Sequence, residues 1–483
     1  MAAHDVASLR ATGKCPASPR SFSIAAGFSN AYRSGIRHGG AFDLKQATWA
    51  YNSALADAKD PAVKAALAAQ DIKAWFARIP WRKGGSPVSA APECADYLFE
   101  QWPRGIFDDF WKRPGIYAEG YYDRYADVPI VHLSGWYDPY ARTAIENYLG
   151  LSPRKRAPMR LILGPWTHGD RSLSYAGEVD FGPAAPVDIN LAADFFARRL
   201  DWFDHWLKSR SSGAAAEPPE RVFAMGGGSG RRNSMGRLDD GGRWRTAADW
   251  PLPETRWTEF HLHPDRSLRR ALPPQGARPL DYAFDPRHPV PTIGGAANSG
   301  EPVMRAGAYD QSTGPNVFGA SEPYRPLAER PDVLVFATPP LDREIEVTGP
   351  ATVRLWIASD CPDTDFTAKL IDVHPPNDDF PEGFAMNLTD GILRVRYRDS
   401  WERPSPMAPG EVCAITIELF PTSNLFASGH RLRVDISSSN FPHFDVNPNS
   451  REPEGTMEHP RIARNRVFVD AAHPSHIVLP VIP

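Results

Sequence analysis

The sequence predicts an α/β unit followed by an all-β unit, and three observations carry that division. Two apolar runs, 128–138 (VPIVHLSGWYD) and 159–170 (MRLILGPWTHGD), end in sharp polar turns, the mark of buried parallel strands. Residues 209–220 form a Ser/Gly/Ala/Glu/Pro stretch that marks a domain boundary. Beyond it strand-like runs succeed one another with no comparable helix, which predicts a β-sandwich of jelly-roll type.

The elements follow in order. Residues 2–10 read as a helix, 21–27 as a short strand, and 27–42 (GFSNAYRSGIRHGGAF) as a Gly-rich loop carrying His38. From residue 43 to about 115 the pattern turns helical, with 45–69 rich in Ala and good helix formers. Trp49, Trp75, Trp81, Trp102 and Trp111 make this insert aromatic, and its position between two strands predicts a helical cap. Residues 141–149 read as the helix after the first apolar run. Residues 191–208 (LAADFFARRLDWFDHWLK) are amphipathic, with Phe195, Leu200, Trp202, Phe203 and Trp206 expected on one broad face. Strands are expected at 221–225, 258–263, 332–338, 344–347, 351–358, 367–373, 391–396, 412–419, 431–437 and 466–469. Several alternate apolar and polar residues with the period of a half-buried antiparallel strand.

Composition narrows the function. The 483 residues exceed the size at which one core stops growing, so two or more domains are expected. Lys and Arg total 54 against 58 Asp and Glu, a formal charge of -4 without long runs of one sign. That balance argues against nucleic acid and anionic membrane surfaces as partners. Four cysteines (Cys15, Cys94, Cys361, Cys413) lie far apart in no C-x-x-C spacing, so they read as unpaired thiols. The N-terminal residues lack the apolar centre of a signal peptide, but with an incomplete N-terminus expected the compartment stays open, the cytoplasm being only the default.

The chemistry is carried by the two strand-end turns. Each delivers one reactive residue, Asp138 and then His168, separated by room for one helix and the next strand. Acyl transfer by a serine needs an imidazole to take its proton and a carboxylate to hold that imidazole in the right tautomer. The pair is the Asp-then-His half of a Ser…Asp…His order, the order of α/β-hydrolases.

GWYDPY (135–140) and LILGPWTHG (161–169) resemble the Asp and His signatures of the X-Pro dipeptidyl-peptidase and cocaine esterase (CocE/NonD) hydrolases. HGGAF (38–42) is similar to the start of that family's cap, LDWFDHWLK (200–208) to its link to the C-terminal domain, and residues 330–373 to the heart of its jelly roll. The resemblance implies a partial α/β-hydrolase domain over 1–43 and 116–190, and a helical cap over 44–115. A connecting helix and linker would cover 191–220 and a jelly-roll β-sandwich 221–483. It further implies Asp138 and His168 as triad acid and base, Tyr140 as a residue lining the acyl pocket, and a small-molecule ester, amide or peptide as substrate. No dissociable cofactor or metal is required, and a homo-oligomer is compatible with the pattern. The departure lies at the front. The family places Gly-x-Ser-Tyr-x-Gly on a strand-to-helix elbow, and this sequence is expected to begin inside the helix that follows it, with the nucleophile upstream of Met1.

Three serines compete for the vacant role. Ser29 lies in GFSNA, Ser134 in the Asp strand and Ser229 in GGGSGRR, and none has both a strand before it and a helix after it. Other signals are weaker. His261 and His263 alternate on a strand with no third ligand nearby, and read as a solvent-facing pair. Asp363, Asp365 and Asp372 surround a strand start and could bind calcium or form a solvated turn. Gly226, Gly227 and Gly228 lack the lysine of a phosphate loop. The rival reading is a non-catalytic protein whose jelly roll recognises a carbohydrate or partner. With only three core strands expected, the α/β part would be left with an unpaired edge and the β-sandwich would be the stable unit.

Overall fold

The computed structural model describes residues 22–24 and 27–483, so the helix expected over 2–10 lies outside them, as does Cys15. Strands β1 (Phe22–Ile24), β2 (Ile130–Tyr137) and β3 (Met159–Thr167) run parallel in that spatial order. Every residue of β2 is buried, which explains why the strand reads as an apolar run without alternation. The helix Ala141–Leu151 crosses from β2 to β3 and lays Ala144, Ile145, Tyr148 and Leu151 into the interior.

A fourth parallel strand, β4 (Glu220–Met225), covers the outer edge of β3 with the register Leu161↔Glu220 to Leu163↔Val222. This corrects the expectation of three core strands: by local pattern 221–225 belongs with the strand-like runs that follow it, and its pairing with β3 joins it to the first part. It pairs with those too, antiparallel to Gly242–Ala247 and through Asn424↔Met225 to Thr422–Phe426. Among the described residues β1 ends the sheet on the other side.

From β4 the sheet continues through Thr422–Phe426, Ile345–Gly349, His476–Ile482, Thr352–Ser359, Ala463–Val467 and Leu280–Phe284, to make one 14-stranded sheet. A second sheet holds Leu334–Ala337, Arg431–Ser437, Asp365–His374 and Phe384–Arg394, all antiparallel. One apolar cluster runs from Trp136 and Leu163 through Val347 and Phe366 to Ile482. The two parts therefore share a core, which is not the arrangement expected of a β-sandwich that is stable by itself beside a loosely held remainder.

The helical insert has its own core. Asp60 accepts from the Ala62 amide at 2.8 Å and Pro61 opens the next helix, which splits the helical stretch 45–69 into Lys45–Asp57 and Pro61–Ala68. Phe42 stacks on Trp102 with ring centroids 5.2 Å apart, and Trp81, Trp102 and Trp111 are buried, whereas Trp49 lies on the surface against Tyr97. The later amphipathic helix is Phe195–Lys208, capped by Asp194. Its buried tryptophan is Trp202. Leu200, expected on the same face, is 46% exposed because a two-residue step turns it away. No helix among the described residues is long and apolar enough to cross a membrane.

Candidate active site

β2 and β3 stay in step from Ile130↔Met159 to Gly135↔Gly164, and then β3 takes one extra residue before Tyr137↔Thr167. Such a bulge re-aims the chain beyond it. The next residues, Asp138 and His168, consequently face each other at the C-terminal ends of adjacent strands, with His168 Nδ1 3.1 Å from Asp138 Oδ2. Asp138 is buried and its other oxygen accepts from the Tyr140 backbone amide at 2.9 Å. With both oxygens engaged the carboxylate has one orientation. Gly169, at φ 98°, lets the chain turn directly after His168. A proton held on Nδ1 by the carboxylate leaves Nε2 as the free base, and the His168 side chain is 31% exposed to receive a partner there.

Tyr140 stands edge-on to the imidazole, with ring centroids 5.2 Å apart, and Phe28 packs edge-on to Tyr140 at 5.7 Å. Burial pushes the Tyr140 hydroxyl well above its ordinary range, so it stays a neutral wall. Lys45 lies over the same ring at 5.9 Å. The sequence reading missed Lys45, because a lysine near a helix start ordinarily points to water. Here it is buried, donating to the Gly35 carbonyl at 2.6 Å and to Asp43. Asp43 also faces His38 Nε2 at 3.4 Å and His443 Nε2 at 3.7 Å, and burial pushes His38 down to about 4. Arg171 was missed as well. It feels the Asp138 charge, although burial is the larger influence and lowers its proton affinity.

None of the three competing serines meets His168. The Ser29 hydroxyl donates to Glu146, shared with Ser34, and ties its loop to the helix Ala141–Leu151. Ser134 is buried within β2 without a hydrogen-bond partner among the described residues. Ser229 donates to Asp239 Oδ2 at 2.6 Å. Trp136 and Trp166, which flank the pair in sequence, are buried and donate to the Phe223 and Ala185 carbonyls at 2.7 and 3.0 Å.

Two weaker signals are corrected. His261 and His263 are both buried, not solvent-facing, and a third group does reach His261: Glu259 and His476 gather around it. Asp363 and Asp365 form neither a calcium site nor a solvated turn. They are buried and neutralised, Asp365 by both arms of Arg394 at 3.0 Å and Asp363 by Arg396 at 2.6 Å.

The fold and the dyad together define an α/β protein whose parallel strands deliver a carboxylate and an imidazole to one edge of the sheet. Residues 6–170 match the X-Pro dipeptidyl-peptidase (S15 family), and residues 212–478 match the X-Pro dipeptidyl-peptidase C-terminal non-catalytic domain. The chain belongs to the X-Pro dipeptidyl-peptidase and cocaine esterase (CocE/NonD) family. The cocaine esterase of Rhodococcus sp. (strain MB1 Bresler) is 36% identical over 344 residues, which cover 68% of this chain and 52% of the esterase. The chain spans about half the length of the curated relatives it matches. Among solved structures, an α-amino acid ester hydrolase superposes with TM-score 0.74 at 22% identity, covering 98% of this chain and 74% of that one. An aminopeptidase from a marine sediment Thaumarchaeota archaeon gives 0.73 at 24% identity, covering 98% and 73%. Both show a common fold with a large content of β-sheet.

Proposed function

We propose that this chain carries the acid and base of a serine acyl hydrolase that cleaves an ester or amide through an acyl-enzyme. The observation that supports it best is the 3.1 Å contact between His168 Nδ1 and Asp138 Oδ2 at neighbouring strand ends. Asp138 holds the imidazole so that Nε2 takes the serine proton and later returns it to the leaving group. Tyr140, edge-on to that imidazole, lines the acyl pocket. The insert 44–115 acts as the cap and the part beyond β4 as the jelly-roll domain. The names of the esterase, ester hydrolase and aminopeptidase relatives favour a small-molecule ester or amide as substrate. The rival binding-protein reading gains nothing from the site, since a binding module has no need of an oriented carboxylate and imidazole.

The reading requires a serine hydroxyl brought to His168 Nε2 from outside the described residues. In its absence triad turnover falls by roughly six orders of magnitude in a comparable hydrolase. Incubation of the 483-residue chain with a fluorophosphonate is expected to leave Ser29, Ser134 and Ser229 unlabelled. A form extended at its N-terminus by a Gly-x-Ser-Tyr-x-Gly elbow is expected to label at that serine and to lose labelling in His168→Ala. Stoichiometric labelling of Ser29, Ser134 or Ser229, or labelling indifferent to His168, overturns the assignment.

A further inference from the structure

Behind the dyad, in the β part, lies a second cluster of chemistry-bearing side chains. Asp372 and His374 are two residues apart on the strand Asp365–His374, so both project from the same face. His430 immediately precedes the strand Arg431–Ser437, which pairs with the first through Val373↔Arg431 and Asp372↔Leu432. The sheet register thus brings the three together, each presenting a ligand atom with all of these within 4.8 Å of one another. His430 Nδ1 lies 2.9 Å from Asp372 Oδ1, and the two imidazole centroids are 4.2 Å apart. Asn424 donates to Asp372 Oδ2 at 2.9 Å and fixes that carboxylate. Asp240 stands 3.6 Å from His374 Nε2, the place of an outer carboxylate that orients a liganding imidazole.

Three features mark this cluster as unfinished. His374 is 3% exposed, yet among the described residues neither of its ring nitrogens has a hydrogen-bond partner, and Asp240 Oδ2 has none either. Buried polar groups in native proteins are almost always satisfied. Two buried carboxylates, Asp240 and Asp372, stand here with no lysine or arginine paired to either among the described residues. A cavity of about 210 Å³, lined by Gly228, Ser229, His374, Asn377 and His430, opens onto the cluster and supplies a path for an ion and room for a water. It is walled by the GGGSGRR loop that the hydrolase reading leaves without a role.

We infer that Asp372, His374 and His430 form a divalent-metal site of the zinc class, with Asp240 as the outer carboxylate and a fourth position open to the cavity. Two imidazoles and a carboxylate suit zinc and its neighbours over calcium or magnesium, which take oxygen ligands. The ion would tie together the ends of two strands, with Asp240 bracing His374 from a third segment. Tyr137, the neighbour of Asp138, donates to the Asn387 carbonyl at 3.0 Å, on the strand paired with Asp365–His374. The site therefore braces the sheet that presents the dyad and takes no part in acyl transfer.

The test uses the tag-free 483-residue chain, stripped with EDTA and titrated with zinc chloride by calorimetry, with bound metal counted by elemental analysis. One ion per chain with a dissociation constant below about 1 µM is expected. His430→Gln, at a partly exposed position, is expected to weaken binding at least a hundredfold with an unchanged circular dichroism spectrum. His476→Gln, which disables the Glu259/His261/His476 group, should leave it intact. Cobalt substituted into the unmutated chain should show the visible bands of a four-coordinate site, a readout independent of whether any variant folds. Absence of binding in the unmutated chain, unchanged affinity in His430→Gln, or loss in His476→Gln overturns the proposal.

Discussion

Asp138 and His168 meet because their strands are out of step by one residue: β3 spends an extra residue between Gly164 and Thr167, and this brings Nδ1 to 3.1 Å from Oδ2. Replacing Asp138 by Asn keeps an acceptor for the Tyr140 amide but offers an amide group to the imidazole, which stabilises the wrong tautomer. In any form of the protein that labels with a fluorophosphonate, Asp138→Asn is expected to lower kcat by about 10⁴. Urea unfolding run in parallel should move little. Full turnover in the variant would remove Asp138 from the triad.

The same bulge explains why Gly135 cannot carry a side chain. A Cβ there would stand 2.2 Å from the Trp166 carbonyl oxygen, a backbone atom inside the irregular stretch of β3. Gly135→Ala must push the two strands apart, which in a packed core costs about 3 kcal/mol. The urea midpoint should fall accordingly, and a change smaller than about 0.5 kcal/mol would show that the strands separate freely there.

How far the sequence reveals this molecule depends on whether a residue's partner is near in the chain. The strands at 130–137 and 159–167, and the polar residue that follows each, are legible because a buried parallel strand is apolar throughout and its turn is polar. β4 has the same local pattern as any strand after the boundary, and only its pairing with Leu161–Leu163 joins it to the first part. Lys45 is invisible for a similar reason: its burial is offset by Asp43 and the Gly35 carbonyl, contacts made by the fold of a loop. The His430 contact to Asp372 spans 58 residues and depends on sheet register, so no spacing rule announces it.

Arg394 offers a test of the buried ion pairs at Asp363 and Asp365, where the sequence left calcium or a solvated turn open. Its guanidinium holds Asp365 with two bonds of 3.0 Å and Asp445 at 2.9 Å, and also meets Glu454, all of them buried. Arg394→Met leaves three carboxylates without their shared cation. Breaking a buried pair in this way costs about 3–5 kcal/mol. Chemical denaturation at neutral pH measures it, and a loss below about 1 kcal/mol would mean that Arg37 and Arg396, the neighbouring guanidinium groups near Glu454, compensate.

His132 lies in β2, fully buried against the Tyr148 ring, and neither ring nitrogen has a hydrogen-bond partner among the described residues. Burial pushes it down to about 3. The unfolded chain takes up a proton at this residue below about pH 6.5, whereas the folded chain refuses one until about pH 3. Stability from this group is thus complete above about pH 6.5 and is lost as the pH falls, by about 1.4 kcal/mol per pH unit. His38, facing Asp43, Lys45 and His443, adds a slope of the same sign down to about pH 4. His132→Leu removes one titrating group and an unsatisfied polar ring together. The variant should be more stable than the parent at pH 5 by about 2 kcal/mol or more, with its slope between pH 6 and 5 reduced by about 1.4 kcal/mol per unit. Urea unfolding at the two pH values decides, and equal slopes in variant and parent would show that water or a shifted strand already satisfies the ring.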